Sequence, residues 1–169
     1  TKPSPIWPRL KLTVSRPGHA TPGMTGAPQN DEATRLIDTL ALAPHPEGGY
    51  FRETWRDQPA DGTRGTGTAI YYLLVAGEIS AWHPVDATAI WHFYTGAALC
   101  LTLLDATGRR EVTLGTDVTG GQISQAIIPA GTWQTATSLG DYSLVGCTVS
   151  PAFDFAGFEL APPEGPPES

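Results

Sequence analysis

The stretch Gly77–Gly96, GEISAWHPVDATAIWHFYTG, decides the fold class of this chain. It holds two short segments, Ile79–His83 and Ala89–Tyr94, rich in aromatic and β-branched residues and parted by a proline-and-aspartate turn. Both are too short for an ordinary helix, and their composition suits a pleated, half-buried surface, so both read as β-strands. Counting in twos from Ala89 puts Ala89, Trp91 and Phe93 on one face of the second strand and His92 on the other.

Outward from this pair the same rhythm continues. Tyr50–Trp55, Thr68–Val75, Leu99–Asp105, Glu111–Leu114, Gln125–Ile128 and Tyr142–Ser150 read as further strands. Turn signals separate them at Asp61-Gly62, Ala76-Gly77, Thr107-Gly108, Gly120-Gly121 and Leu139-Gly140. Short strands at regular spacing without interleaved helices mean an all-β sandwich or closed barrel. One helix precedes them. Asn30 is a candidate cap, Asp31 and Glu32 suit its positive end, and Leu36, Ile37, Leu40 and Ala41 form an apolar face that Pro44 terminates. The 169 residues fit one domain, expected over 30–160. Residues 1–29 read as a flexible extension with Met24 a candidate natural start, and the proline-rich, acidic 161–169 as a disordered tail.

Composition narrows the function. Ten basic against 17 acidic residues give a net charge of −7, which argues against nucleic-acid and anionic-membrane partners. No apolar run approaches the ~20 residues that cross a bilayer, and the N-terminus lacks a secretory h-region. Cys100 and Cys147 lie in apolar strands and read as reduced, buried thiols of a cytoplasmic protein.

The opening stretch resembles the first cupin motif, with Gly77, His83 and Gly96 on matching positions, and Pro129-Ala130-Gly131-Thr132-Trp133-Gln134 resembles the second. Together with HPEGGYFRET, SAWH, IWHFY and LVGCTV, these words resemble an uncharacterised cupin-superfamily family over about Thr34–Leu160. The resemblance implies a double-stranded β-helix, or jelly-roll barrel, with one short N-terminal helix. It also implies four metal-ligand positions, which fall on His83, Val85, Ala89 and Gln134. Valine and alanine offer no lone pairs and glutamine is a poor ligand, so neither a metal nor another cofactor is expected.

More distantly, Gly48-Gly49-Tyr50-Phe51-Arg52-Glu53 resembles a strand of the metal-free deoxysugar-nucleotide epimerases, with glycine in place of an arginine. In that family the strand reaches into a neighbouring subunit's pocket. This implies a homodimer, with Tyr50, Phe51, Arg52 and Glu53 as candidate pocket residues. The family's catalytic histidine matches His83; its acidic tyrosine falls at Gly146 and its second arginine at Ser80.

His83 is therefore the candidate acid/base, or else a core histidine bonded to a backbone carbonyl. Glu53 is a second catalytic candidate, or the partner of Arg52 or Arg56. Trp91 and Phe93 would line or fill the cavity, narrowing it and making it apolar, and Gln134 suits a neutral ligand. His92 reads as a packing or subunit-contact residue, and Trp133 as structural. Pro46-Glu47-Gly48-Gly49 reads as a turn with Glu47 a turn residue, and His45 as exposed loop. Three functions fit: a metal-independent isomerase- or lyase-like enzyme for a small carbonyl- or sugar-like molecule, a non-catalytic small-molecule binder, and an assembly domain with a collapsed pocket. An ionisable group facing His83 would favour the first, an apolar wall the second, and an absent cavity the third.

Overall fold

The computed structural model describes residues 31–154 together with 161, 165 and 166. The extension 1–29, the candidate cap Asn30 and most of the tail lie outside the described residues. One sheet has six strands, in spatial order β1 (Ala43–Pro44), β2 (Tyr50–Arg56), β3 (Thr68–Val75), β10 (Tyr142–Ser150), β5 (Thr88–Gly96) and β8 (Gln125–Ile128). The other has four: β4 (Ile79–His83), β9 (Trp133–Ser138), β6 (Leu99–Asp105) and β7 (Gly108–Leu114). The strand ladders are antiparallel, and the chain crosses repeatedly between the sheets, which gives the jelly-roll barrel.

The period of two places the core. Along β3, Thr68, Ile70 and Tyr72 point inward beside Val149, Cys147 and Val145 of β10. Beyond them Leu74, Leu99, Leu101, Leu103 and Leu114, each no more than 2% exposed, pack one end of the barrel solid. The other end, lined by Thr68, Ile70, Cys147 and Val149, is hollow.

Three elements depart from expectation. β9 was not expected as a strand, because WQTATS shows no apolar alternation; its inward positions are Gln134 and Ala136, so one of the two buried side chains is polar. β7 begins three residues earlier than its apolar part, through the exposed Arg109 and Arg110. β5 also runs past Tyr94 to Gly96, with a bulge opposite Leu144 and Val145, and Tyr94 is half-exposed on its outer face.

The helix α1 (Asp31–Leu40) covers the outer face of the large sheet, where Ala33, Leu36, Ile37 and Leu40 meet Leu73, Tyr142 and Leu144. Pro44 does not end it. Ala41 does, at φ 51°, in a Schellman motif: Leu42 N–H donates to the Ile37 carbonyl (2.9 Å) and Ala41 N–H to that of Asp38 (3.2 Å). This position is usually glycine, since a Cβ in left-handed backbone costs about 1–2 kcal/mol. Ala41→Gly should therefore raise stability by about 0.5–1 kcal/mol after glycine's greater chain entropy is subtracted. Urea unfolding reads it, and an unchanged or lower midpoint refutes it.

Candidate active site

The site is built by a turn. Pro46 has no amide hydrogen, and the two glycines after Glu47 adopt positive φ, 104° at Gly48 and 71° at Gly49. A Cβ on Gly48 would lie 2.5 Å from the carbonyl oxygen of Ile79, so the close approach to β4 also requires glycine. Gly48 N–H donates to the His45 carbonyl (3.0 Å) and His45 N–H to that of Gly49 (2.9 Å). The Glu47 carbonyl accepts from Ala81 N–H (2.8 Å), and the Gly48 carbonyl from the Tyr72 hydroxyl (2.8 Å). So anchored, the turn drives the Glu47 side chain into the barrel, where the residue is 8% exposed.

The hollow end is a cavity of about 70 Å³. At ~10–15 Å³ per enclosed water it has room for about five, the size of a small organic molecule. Phe51, Ile70, Tyr72, Val85, Ala89, Trp91, Val149 and Phe153 form most of the wall, and the polar lining comes from His45, Glu47, Glu53, Thr68, His83 and Gln134. Among the described residues no lysine or arginine lines it.

At its centre Glu47 Oε2 lies 3.2 Å from His83 Nδ1 and accepts from Ser80 Oγ at 3.1 Å. His83 Nδ1 lies 2.7 Å from the Ala81 carbonyl, which can only accept, so Nδ1 carries the proton and Nε2 the lone pair. Gln134 Nε2–H donates to that lone pair at 3.3 Å, and Trp91 Nε1–H donates to Gln134 Oε1 at 3.0 Å. Burial raises the Glu47 carboxyl to about 8, partly offset by the Ser80 hydrogen bond. Burial likewise lowers His83 to about 4, against the opposing pull of the Ala81 carbonyl. Across the neutral range the carboxyl therefore keeps its proton and the imidazole stays neutral.

The family described as Cupin superfamily (DUF985) matches residues 34–161. This chain belongs to that cupin family. It is similar to the crystal structure of protein SO0799 from Shewanella oneidensis, at 36% identity and TM-score 0.74, over 78% of this chain and 85% of that one. It is also 29% identical to the uncharacterized protein YML079W of Saccharomyces cerevisiae, over 72% of this chain and 71% of the relative. A dTDP sugar isomerase from Desulfovibrio desulfuricans, at 19% identity and TM-score 0.50, over 72% of this chain and 79% of that one, shares the fold alone.

The four metal-ligand positions of this cupin do not fit an ion. Val85 and Ala89 carry no donor, and both amide atoms of Gln134 are already bonded to Trp91 and His83. Among the described residues no three His, Cys, Asp or Glu side chains are grouped to hold a metal. No helix among them is long and apolar enough to cross a membrane. The described cysteines, Cys100 and Cys147, are free thiols; Cys147 lines the cavity, and burial pushes it up to about 12.

The other expected residues divide between two faces. Phe51, Trp91 and Gln134 line the cavity with His83, and Glu53 stands at its wall bonded to Arg56 (2.7 Å). Phe93 faces inward in register opposite Val145 and packs on the core, but it does not line the cavity. Tyr50 and Arg52 alternate with Phe51 and lie away from the cavity, Tyr50 beneath the helix and Arg52 over the Tyr71 ring at 5.7 Å. His92 also faces outward, between Thr148 Oγ1 (2.9 Å) and Gln125 Nε2 (3.2 Å). Gly146 does not offer a tyrosine position in the cavity, since a Cβ there would meet the Tyr94 hydroxyl.

Two expectations are corrected. Glu47 is no mere turn residue and His45 no exposed loop: both side chains are at least nine-tenths buried and line the cavity. The turn chemistry of PEGG concealed them. The signal available was a histidine and a carboxylate held two apart by a proline, ahead of paired glycines.

A pH dependence follows from these groups. Above about pH 6.5 the unfolded chain has released its histidine protons while the folded Glu47–His83 pair keeps one until about 8, so stability falls as pH rises. Below 6.5 the unfolded chain protonates His45, which burial and nearby His83 hold neutral to about 4 in the fold, so stability falls again. Each limb carries one proton, up to about 1.4 kcal/mol per pH unit, with the maximum near 6.5. Glu47→Gln should abolish the alkaline limb and steepen the acid one. Urea titrations between pH 5 and 8.5 test this; an unaltered alkaline limb in the variant refutes it.

Proposed function

We propose that this cupin is a metal-independent acid–base enzyme, isomerase- or epimerase-like, for a small carbonyl- or sugar-like molecule. The observation that carries this reading is the buried pair of Glu47 and His83, 3.2 Å apart at the cavity. Moving a hydrogen beside a carbonyl requires a base for the C–H proton and an acid for the oxygen. His83 Nε2 supplies the lone pair once a substrate displaces the long Gln134 bond. Glu47 Oε2 already accepts from Ser80 and faces the His83 N–H, which leaves its other oxygen to carry the acid proton. The cavity's size, and the lack of a cation among the described residues that line it, favour a compact substrate over a sugar nucleotide.

Small ketones, hydroxyketones and aldoses incubated in D2O should exchange their α-hydrogens faster with the protein, as read by proton NMR. His83→Asn and Glu47→Gln should each reduce this at least about a hundredfold. Chelation should change nothing, and elemental analysis should find under about a tenth of an equivalent of transition metal, given the donor set. The apolar wall favours a second reading, a non-catalytic binder. Binding without exchange across the panel would establish that instead.

We also propose a cytoplasmic homodimer formed through β2. Among the described residues β1 covers that strand only at Tyr50 and Phe51, and none pairs the outer edge of Arg52–Arg56, beside the half-exposed Trp55. Light scattering should give twice the chain mass of 17.9 kDa. A monomer at micromolar concentration refutes the dimer.

A further inference from the structure

His45 has a place in the cavity that the acid–base pair does not explain. The Glu47 backbone N–H donates to His45 Nδ1 at 3.2 Å, so that nitrogen carries a lone pair. A neutral imidazole then bears its proton on Nε2. The ring is held edge-on to Phe51 (centroids 4.5 Å) and Tyr72 (5.6 Å), and its side chain is only 8% exposed. Nε2 has no partner among the described residues, yet the side chain lines the cavity. Buried N–H groups are nearly always paired. One that borders a cavity is paired by what enters it.

We propose that His45 Nε2–H is the ligand's hydrogen-bond donor, and that the ligand is uncharged, with a carbonyl oxygen on a compact apolar body. The donor is neutral, so it can polarise an oxygen but cannot neutralise an anion. Among the described residues the lining offers an anion no cation. Phe51, Ile70, Trp91 and Phe153 suit the apolar body. This deepens the acid–base reading by naming the ligand class, but its test needs no turnover.

Three probes of similar size separate the possibilities: cyclopentanone, methylenecyclopentane and cyclopentanecarboxylate. Measured by ligand-observed NMR at pH 7, the ketone should bind about tenfold more tightly than the alkene, and the carboxylate should not bind. The ketone should also shift the His45 Nε2 resonance. In His45→Phe the ketone–alkene ratio should fall to about one, and His45→Gln, which keeps an N–H donor, should restore part of it. If His45→Phe fails to fold, the wild-type ratio and the His45 resonance decide. Equal binding of ketone and alkene to the wild type, or preference for the carboxylate, would overturn the proposal. Ketone binding through His45 with no hydrogen exchange would sink the acid–base reading alone.

Discussion

A carboxyl group inside an apolar barrel must be neutral or paired, and Glu47 is held where both demands meet one neighbour. Isolated ionisation there would cost far more than a small domain can spare. The surrounding contacts answer that constraint: Ser80 donates to the carboxyl, His83 faces it, and β4 takes the backbone of the turn through Ala81. The turn can lie this close only because Gly48 lacks a Cβ, and β3 secures it through the Tyr72 hydroxyl. One polar group thus ties together the loop before β2, the four-stranded sheet and the six-stranded sheet.

The Gln134 amide extends the same logic across the barrel. In a metal cupin this position would offer an imidazole to an ion; here it bonds Trp91 with one atom and His83 with the other. The chain Trp91–Gln134–His83–Ala81 satisfies each buried polar atom it contains and fixes the imidazole tautomer. Val85 and Ala89 fill the remaining ligand positions with small apolar groups, leaving space rather than charge. At these positions the donor atoms of His83 and Gln134 are taken up by hydrogen bonds.

Much of the barrel was legible because inward and outward residues alternate wherever an apolar strand is half-buried. That rule placed Trp91 inside and His92 outside, and the structure agrees on both. It failed at β9, where an inward residue is glutamine. His83 was legible from its motif. Its partner was not, because Glu47 lies in a word whose proline and glycines account for themselves as a turn. Local turn chemistry and burial are separate facts about the same residues. Only the distant strands β3 and β4, which meet the loop in space, reveal the second.

The two buried histidines differ in what their surroundings leave available, and this bears on what the cavity can do. His83 has its nitrogens committed to Ala81 and Gln134, so it can act only on a group that displaces the long amide contact. His45 has one nitrogen committed to the Glu47 amide, and its remaining N–H belongs to the cavity. Under the proposed function, a base, an acid and a neutral donor stand around a space whose described lining contains no cation. A site of that kind stabilises charge that develops and disappears within a reaction better than charge that a ligand brings with it. On that proposal this distinction, more than the fold, separates a cavity suited to enolisable carbonyl compounds from one suited to carboxylates or phosphates.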